Sequence, residues 1–213
     1  MLALFDLDNT LIDRRGGLEG WARSFVQSRR LPSETASLIC DRLWERAYPS
    51  DFEDLGEMLG LCDDPGSLWH EYVAGVARSV RCAPQVRERL RELRVAGWTL
   101  GIATNGAGDI QRAKLTAAGL TSLFDGICVS EEIGIRKPAY EHFETAASLC
   151  GSDLAAGGWM VGDNPDTDIA GGRAAGLRTA WVTAGRAWTD GPRQPDVVAR
   201  DVTEAIGAML AAT

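Results

Sequence analysis

The sequence predicts an α/β fold in which a parallel sheet carries helices on both faces, with a smaller all-helical domain inserted after the first strand. Through the second part of the chain, short apolar runs alternate with segments of helical spacing. The first apolar run stands apart from this alternation, and the stretch between them has helical spacing only. We therefore assign residues 1–13 and 82–213 to an α/β core and residues 14–81 to the helical insertion.

The first predicted strand is Leu2–Leu7, a short apolar run bounded by polar residues. The insertion that follows contains four segments with helical spacing. The residues that carry this spacing are Leu18, Trp21, Ala22, Phe25 and Val26; Ile39 and Leu43; Phe52, Leu55 and Leu59; and Leu68, Trp69, Tyr72, Val73 and Val76. Asp64 and Pro65 suit the N-cap and the first position of the last of these helices.

The remainder of the chain alternates helix and strand, which is typical of a parallel sheet. Pro84 suits the start of a helix and Gly97 its end. Further strands are predicted at Trp98–Ala103, Gly126–Val129, Gly158–Val161 and Thr179–Val182, and further helices at Asp109–Ala118, Pro138–Cys150 and Ile169–Ala175. The segment Trp188–Pro195 is rich in Gly and Pro and predicts a surface loop.

Composition and charge narrow the class of function. The chain has 213 residues, 45% of them hydrophobic, and a formal net charge of −8. This charge disfavours a broad nucleic-acid surface, whereas a local positive pocket can still bind a small anion. Five scattered cysteines without a CxxC pair, and two isolated histidines in helical segments (His70 and His142), argue against a zinc site or a disulfide framework. The first strand leaves no room for a signal peptide and no apolar run is long enough to span a membrane, so we expect a cytoplasmic protein without a membrane partner.

Polar side chains follow the carboxyl ends of the predicted strands, where open parallel sheets bind their ligands. They are Asp6 and Asp8 after the first strand, Thr104 and Asn105 after the second, Lys137 past the third, and Asp163 and Asp168 after the fourth. Because residues i and i+2 of a strand share a face, we expect Asp6 and Asp8 to point the same way. Clustered carboxylates suit Mg²⁺, and hydroxyl, amide and amine groups suit phosphate oxygens. One carboxylate can attack phosphorus while a second transfers protons.

At these positions the sequence resembles the four motifs of the haloacid dehalogenase superfamily, in the order in which that family carries them. The matching segments are Asp6-Leu7-Asp8-Asn9-Thr10 for its DxDxT motif, Thr104-Asn105 for the second, Arg136-Lys137-Pro138 for the third, and the run from Gly162 through Asp163 to Asp168 for the fourth. Asn9 is a departure, since many members carry Gly there. The resemblance covers the whole chain and implies a Rossmann-like sheet with an inserted helical cap of the kind found in the family's small-molecule phosphatases.

The resemblance also implies roles for these residues. Asp6 would attack phosphorus and form an aspartyl-phosphate, and Asp8 would protonate the leaving oxygen and then activate water. The phosphoryl group would be bound by Thr104, Asn105 and Lys137, and Mg²⁺ by Asp6, the backbone carbonyl of Asp8, Asp163 and Asp168, the last directly or through water. The predicted function is a Mg²⁺-dependent phosphatase of a small phosphorylated metabolite.

Several alternatives stay open. Acid catalysis accelerates the departure of a poor leaving group by roughly 10²–10⁴-fold, so Asp8 favours phosphoryl chemistry over halide displacement by a haloacid dehalogenase. A phosphomutase of the β-phosphoglucomutase type shares both aspartates and is the first alternative, and a non-catalytic protein that binds a phospho-ligand is another. A phospho-acceptor module like a response-regulator receiver is disfavoured. In such modules the acceptor aspartate lies on an inner strand well along the chain, whereas here the candidate, Asp6, follows the first strand. The sequence predicts neither the substrate nor the oligomeric state.

Some residues of the insertion have a mainly structural interpretation. Trp21, Trp44 and Trp69 are predicted to lie in the core of the insertion, with one of them a candidate for the wall of a substrate pocket. Arg14 and Arg15 lie where the insertion joins the core, which makes them candidates for binding a substrate anion.

Overall fold

A computed structural model describes residues 1–188 and 194–212 of the chain. Within these ranges six strands form one sheet in the order β3-β2-β1-β4-β5-β6, and every neighbouring pair is parallel. The strands are β1 Leu2–Phe5, β2 Thr99–Thr104, β3 Gly126–Val129, β4 Trp159–Gly162, β5 Arg178–Val182 and β6 Val197–Ala199. The predicted parallel sheet is confirmed, and β1 lies at its centre between β2 and β4.

Helices precede, follow and connect these strands. They are α1 Arg14–Ser28, α2 Thr35–Leu43, α3 Asp51–Leu59, α4 Pro65–Ser79, α5 Pro84–Val95, α6 Gly108–Ala117, α7 Ser130–Ile133, α8 Tyr140–Leu149, α9 Gly171–Ala174 and α10 Val202–Ala211. A π-helical turn, Pro165–Ala170, leads into α9. The helices α1–α4 form the insertion and coincide with the four segments predicted from spacing, and Asp64 caps α4 as expected by accepting a hydrogen bond from Ser67 N. No helix among the described residues is long and apolar enough to cross a membrane.

The two faces of the sheet bury alternate side chains of the strands. Ala3 and Phe5 of β1 belong to a core cluster that includes the apolar faces of α5 and α10. Leu2 and Leu4 belong to a second cluster, which includes Phe143 of α8. Burial on both faces explains why the strands read as continuous apolar runs, and it confirms that helices cover both sides.

An aromatic cluster holds the insertion together. Trp21 and Phe25 of α1, Phe52 of α3, and Trp69 and Tyr72 of α4 have ring centroids between 4.8 and 5.4 Å apart in neighbouring pairs. Aromatic pairs at such distances stabilise a core beyond their buried area. Trp21 and Trp69 are buried as predicted.

The insertion leaves the core and returns to it at one neck. Asp13 N donates a hydrogen bond to Arg81 O at 3.2 Å, and the Asp13 carboxylate caps α1 by accepting from Gly16 N at 2.9 Å. A second connection joins α4 to α6, where Trp69 Nε1 donates to Asp109 Oδ2 at 2.6 Å. The neck lies close to the predicted division at residues 13 and 81, and that division stays a prediction.

The first strand ends earlier than the sequence predicted. β1 stops at Phe5, so Asp6 and Asp8 lie after the strand and its pleat does not set the direction of their side chains. The backbone turns back because Asn9 adopts a left-handed conformation with φ 58°, and its N–H donates to Ile12 O at 2.8 Å. Aspartate and asparagine favour such turns, which outweighs the apolar pattern that suggested a longer strand.

The end of the chain also differs from the prediction. β6 and α10 were not predicted: β6 has three residues, with Val198 56% exposed, and therefore lacks the apolar run of a buried strand. The predicted surface loop Trp188–Pro195 falls mainly on residues 189–193, which lie outside the described ranges.

Candidate active site

A cavity of about 1190 Å³ lies over the carboxyl ends of β1, β2 and β4, and residues of the insertion form part of its wall. Six of the seven predicted site residues line it: Asp6, Asp8, Asn105, Lys137, Asp163 and Asp168. The seventh, Thr104, lies behind the wall with 1% of its surface exposed. The carboxyl edge of the sheet thus brings together residues that are far apart in sequence.

Three carboxylates and one lysine form the centre of this cavity. Asp6, Asp163 and Asp168 each offer an oxygen atom within 4.8 Å of the others. Lys137 Nζ lies 2.7 Å from Asp6 Oδ1 and 2.7 Å from Asp168 Oδ1. We call these four residues the acidic centre.

Local structure fixes the two later aspartates. Asp168 accepts a hydrogen bond from Asn164 N at 3.0 Å through its second oxygen. A Cβ atom at position 162 would lie 2.2 Å from that oxygen, so the approach of Asp168 to β4 requires Gly162. Asp163 is paired with Arg186 Nη2 at 3.0 Å, an arginine that sequence reasoning missed.

The acidic centre holds more negative charge than its lysine offsets. Burial, with Asp168 and Asp163 adding to it and Lys137 opposing it, raises the pKa of Asp6 from 3.8 to about 8. Burial and repulsion from Asp168, partly offset by Arg186, raise the pKa of Asp163 to about 6. Burial disfavours the charged form of Lys137, but attraction to Asp168 and Asp6 outweighs it and raises the lysine's pKa. A cation among these carboxylates would favour their ionised forms.

Asn105 holds the backbone of Lys137. Its Nδ2 donates to Lys137 O at 3.0 Å and its Oδ1 accepts from Lys137 N at 2.9 Å. The asparagine after β2 therefore places the loop that carries the lysine. Its contact with phosphate stays a prediction.

Asp8 has its own buried partners, separate from the acidic centre. Lys114 Nζ lies 2.9 Å from each of its two carboxylate oxygens, and Gln111 Nε2 donates to Oδ2 at 3.3 Å. Arg14 Nε is 4.0 Å from the same oxygen. Burial and the nearby Arg14 lower the pKa of Lys114, with attraction to Asp8 opposing them. The side chain of Asp8 is thus surrounded by cations, and the metal contact predicted for its backbone carbonyl stays a prediction.

Gln111 also reaches Thr104. Its Nε2 donates to Thr104 Oγ1 at 2.7 Å. Because Thr104 accepts this bond, its own hydroxyl hydrogen is available to donate elsewhere. Gln111 and Lys114 lie three residues apart on α6, where sequence reasoning placed no site residue. Helical spacing alone could have put both on one face, directly after the Thr104-Asn105 motif.

The segment after α2 forms the far wall of the cavity. Trp44, predicted to lie in the core of the insertion, is instead 39% exposed and lines the cavity, with the Arg15 guanidinium 4.9 Å from its ring centroid. Arg14 is buried and donates from Nη2 to Leu43 O at 2.9 Å and from Nη1 to Trp44 O. Arg14 therefore holds this wall, and Tyr48 extends it.

The structure brings residues of the first, third and fourth motifs together in the acidic centre. The family model of the haloacid dehalogenase-like hydrolases matches residues 3–182. The chain belongs to this family. The match runs from β1 to the end of β5, so it includes both the acidic centre and the inserted helices, and the resemblance seen in the motifs is confirmed.

Individual proteins are similar to this family member over different lengths. Human N-acylneuraminate-9-phosphatase is 34% identical over 208 residues, covering 84% of this chain and 80% of that protein. Phosphoserine phosphatase of Thermus thermophilus is 40% identical over 122 residues, covering 57% of this chain and 48% of that protein, so the chain spans about half of that relative's length. The crystal structure of the putative HAD-hydrolase YfnB from Bacillus subtilis, bound to magnesium, has a TM-score of 0.74 at 22% identity and covers 98% of this chain and 97% of that one. That structure supports the fold.

Proposed function

We propose that this hydrolase is a Mg²⁺-dependent phosphatase that cleaves a small phosphorylated metabolite through an aspartyl-phosphate on Asp6. The observation that carries the proposal is the acidic centre, where Lys137 bridges Asp6 and Asp168 at 2.7 Å beside Asp163. A phosphate monoester brings two negative charges and a poor leaving group. A lysine and a divalent cation next to a carboxylate nucleophile would offset the charge, and a proton from Asp8 would serve the leaving group.

The donor set of the acidic centre fits Mg²⁺. Its three aspartates offer carboxylate oxygens, which is the ligand type that this hard cation prefers, and these oxygen atoms lie close enough together to surround one small ion. Asp6, Asp163 and Asp168 would hold the ion, with the Asp8 carbonyl as a further ligand. When bound, Mg²⁺ would neutralise the phosphate oxygens and the carboxylates and so let Asp6 approach phosphorus as an anion.

The first chemical step transfers the phosphoryl group to Asp6. An Asp6 carboxylate oxygen forms a bond to phosphorus while the bond from phosphorus to the ester oxygen breaks, and Asp8 gives its proton to the departing oxygen. The alcohol leaves, and the group remains on Asp6 as an acyl phosphate. Lys137, held by Asn105, would bind an oxygen of the transferring group; Thr104 would have to reach that group from behind the cavity wall, through the hydroxyl hydrogen that its bond from Gln111 leaves free.

The second step returns the enzyme to its starting state. A water oxygen forms a bond to phosphorus, the bond from phosphorus to Asp6 breaks, and the water's proton passes to Asp8. Inorganic phosphate leaves and Asp8 is protonated again. In this proposal residues 14–81 act as a cap whose wall at Trp44 and Tyr48 limits access of bulk water during the first step.

The test is phosphate release from a panel of phosphorylated metabolites, with and without Mg²⁺, by wild type and Asp6→Asn. We expect Mg²⁺-dependent release by wild type and a loss of at least about 10³-fold in the variant, because the covalent step needs the Asp6 carboxylate as its nucleophile. Asp166→Asn is the matched control, since Asp166 is an exposed carboxylate in the turn that also carries Asp168. It is expected to behave as wild type.

Metal binding has a test that does not depend on turnover. Mg²⁺ is expected to raise the melting temperature of wild type without substrate, and Asp163→Asn is expected to reduce that shift. An equal shift in both proteins would show that Asp163 is not a ligand. No phosphate release from any compound would overturn the phosphatase proposal.

Product analysis separates the alternatives within the family. An isomerised phosphosugar in place of free phosphate would identify a phosphomutase, and halide release from a haloacid would identify a dehalogenase. The human relative named as an N-acylneuraminate-9-phosphatase and the thermophile relative named as a phosphoserine phosphatase support including a phosphorylated sugar acid and a phosphorylated amino acid in the panel. A cytoplasmic location remains part of the proposal.

A further inference from the structure

Lysine is rare in this chain, and both of its lysines lie at the candidate site. Of the 22 basic residues only Lys114 and Lys137 are lysines, and the other 20 are arginines. Lys114 is 2% exposed and Lys137 is 3% exposed. Arginine presents a broad planar fork, whereas lysine presents a compact ammonium ion. A chain that uses arginine everywhere else therefore places its two compact cations against the aspartates of this cavity.

Lys114 is fully engaged by groups around Asp8. Its Nζ lies 2.9 Å from Asp8 Oδ1, 2.9 Å from Asp8 Oδ2 and 2.8 Å from Gln111 Oε1. Three hydrogen-bond acceptors match the three hydrogens of an ammonium group. Gln111 in turn donates to Thr104, so one buried network connects the predicted phosphate-binding threonine to the predicted proton-transfer aspartate.

A contribution to the stability of the fold does not explain why Lys114 and Asp8 form a buried ion pair. A buried ion pair contributes little compared with apolar residues of the same volume, because both charges must leave water. The Asp8 carboxylate, by contrast, has to serve two oxygen atoms in succession, the leaving oxygen and then the attacking water. An ammonium bound to both of its oxygens restricts rotation of the carboxylate and fixes its distance from Asp6.

We propose that Lys114 is a positioning residue that holds the Asp8 carboxylate in place for its proton transfers. This inference rests on the phosphatase function proposed above. In this proposal Lys114 acts through Asp8, to which its ammonium is bound, whereas Lys137 contacts Asp6 and Asp168. Gln111 assists by holding the Lys114 ammonium and the Thr104 hydroxyl in one network.

The test is the leaving-group dependence of kcat/KM in Lys114→Met, which keeps the length of the side chain and removes the charge. This parameter reports on steps up to departure of the alcohol and is independent of the later hydrolysis. An alkyl phosphate needs a proton from Asp8, so its kcat/KM is expected to fall by at least about 10²-fold. p-Nitrophenyl phosphate leaves as a stable anion, so its value is expected to fall less, by a factor of about ten or under.

Two further variants serve as controls for the leaving-group dependence of kcat/KM in Lys114→Met. Asp8→Asn is expected to show the same selective loss for alkyl phosphates, and Arg112→Gln, an exposed residue of the same helix, is expected to match wild type. Equal losses for both ester types in Lys114→Met, with Asp8→Asn still selective, would overturn the role of Lys114 and leave the phosphatase proposal standing. No phosphate release by wild type would refute the phosphatase proposal itself.

A measurement on folded protein covers the case in which Lys114→Met does not fold. Protein labelled with ¹³C at lysine Cε gives two side-chain signals, and Lys137→Arg assigns them by removing one. Asp8→Asn is expected to shift the Lys114 signal strongly and the Lys137 signal weakly. A Lys114 signal that does not move would show that the ammonium is not bound to Asp8, and the proposal would then be wrong.

Discussion

Asn105 and Lys137 are joined by two hydrogen bonds of opposite direction, from Nδ2 to the lysine carbonyl at 3.0 Å and from the lysine N–H to Oδ1 at 2.9 Å. The pair links the loop after β2 to the loop that carries the lysine of the acidic centre. A single side chain thus satisfies both backbone groups of the residue whose ammonium contacts Asp6 and Asp168.

Asn105→Ala is expected to lower both stability and activity. It leaves two backbone groups of Lys137 without partners, which costs about 1–3 kcal/mol for a buried group. Urea unfolding and kcat/KM measure the two effects. Asn105→Asp keeps the acceptor for the lysine N–H but places a carboxylate oxygen against the lysine carbonyl, so it should be destabilised as well. Unchanged unfolding of Asn105→Ala would contradict these hydrogen bonds.

Gly75→Ala and Gly207→Ala are expected to have opposite effects on stability. A Cβ atom at position 75 would lie 2.1 Å from Trp21 Cδ1, so the substitution forces α1 and α4 apart at a cost of about 1–3 kcal/mol. At position 207, within α10, nothing lies within 4 Å of the added atom, and alanine should stabilise the helix by about 0.5–1 kcal/mol. The denaturant concentration at the unfolding midpoint of each variant, compared with that of wild type, measures both effects. A higher midpoint for Gly75→Ala would show that the aromatic cluster is loosely packed.

Arg14→Met is expected to raise KM and to destabilise the protein. Its guanidinium donates to Leu43 O and Trp44 O, and a methionine leaves these carbonyls unpaired at a cost of about 1–3 kcal/mol. The wall segment after α2 would then lose its support. Arg15→Met is the matched control because Arg15 is exposed and its guanidinium lies over the ring of Trp44, a contact of about 0.5–1 kcal/mol. Similar KM values for the two variants would argue against a role of Arg14 in shaping the wall.

His142 is expected to make stability depend on pH. Burial and repulsion from Lys137 and Arg136 lower its pKa from 6.5 to about 4, although its bond to Ile135 O and attraction to Asp168 oppose the shift. In the unfolded chain His142 takes up a proton below pH 6.5, whereas in the folded protein its imidazole stays neutral down to about pH 4. The contribution of neutral His142 to the free energy of unfolding is therefore complete above pH 6.5. It is lost as the pH falls towards 4, by about 3 kcal/mol in total.

Unfolding by urea between about pH 4.5 and 7.5 measures this dependence in wild type and in His142→Gln. The variant has no titrating group at the position, so its free energy of unfolding should fall less steeply with decreasing pH. Parallel curves would show that His142 is protonated equally in the folded and unfolded states. His142 lies in α8, in agreement with its prediction as a helix residue, and its side chain is buried.

The fold and most of the candidate site could be predicted because their signals are local. Asp6 and Asp163 follow apolar runs directly, Asp168 lies in the turn after Asp163, and the carboxyl ends of neighbouring parallel strands lie together. The four helices of the insertion have strong periodicity. These features depend on short stretches of sequence and on a general rule for open sheets.

The partners of Asp8 could not be predicted in the same way. Gln111 and Lys114 lie on α6, where polar residues usually face solvent, and only the tertiary structure shows that both are buried. The direction of the Asp8 side chain was also beyond the sequence, since it depends on the turn at Asn9. Spacing places Gln111 and Lys114 on one face of α6, but the burial of that face against Asp8 depends on long-range packing.

The central place of β1 has a consequence for biosynthesis. Leu2 pairs with Thr99 and Ala3 pairs with Trp159, so the strand that presents Asp6 emerges from the ribosome long before either neighbour. The helices of the insertion find their partners close by in the sequence, because α1 packs against α2 and α4. Contacts of high sequence separation form slowly. The nascent chain is therefore expected to assemble its helical insertion first and to complete the surroundings of Asp6 only after β4 has been synthesised.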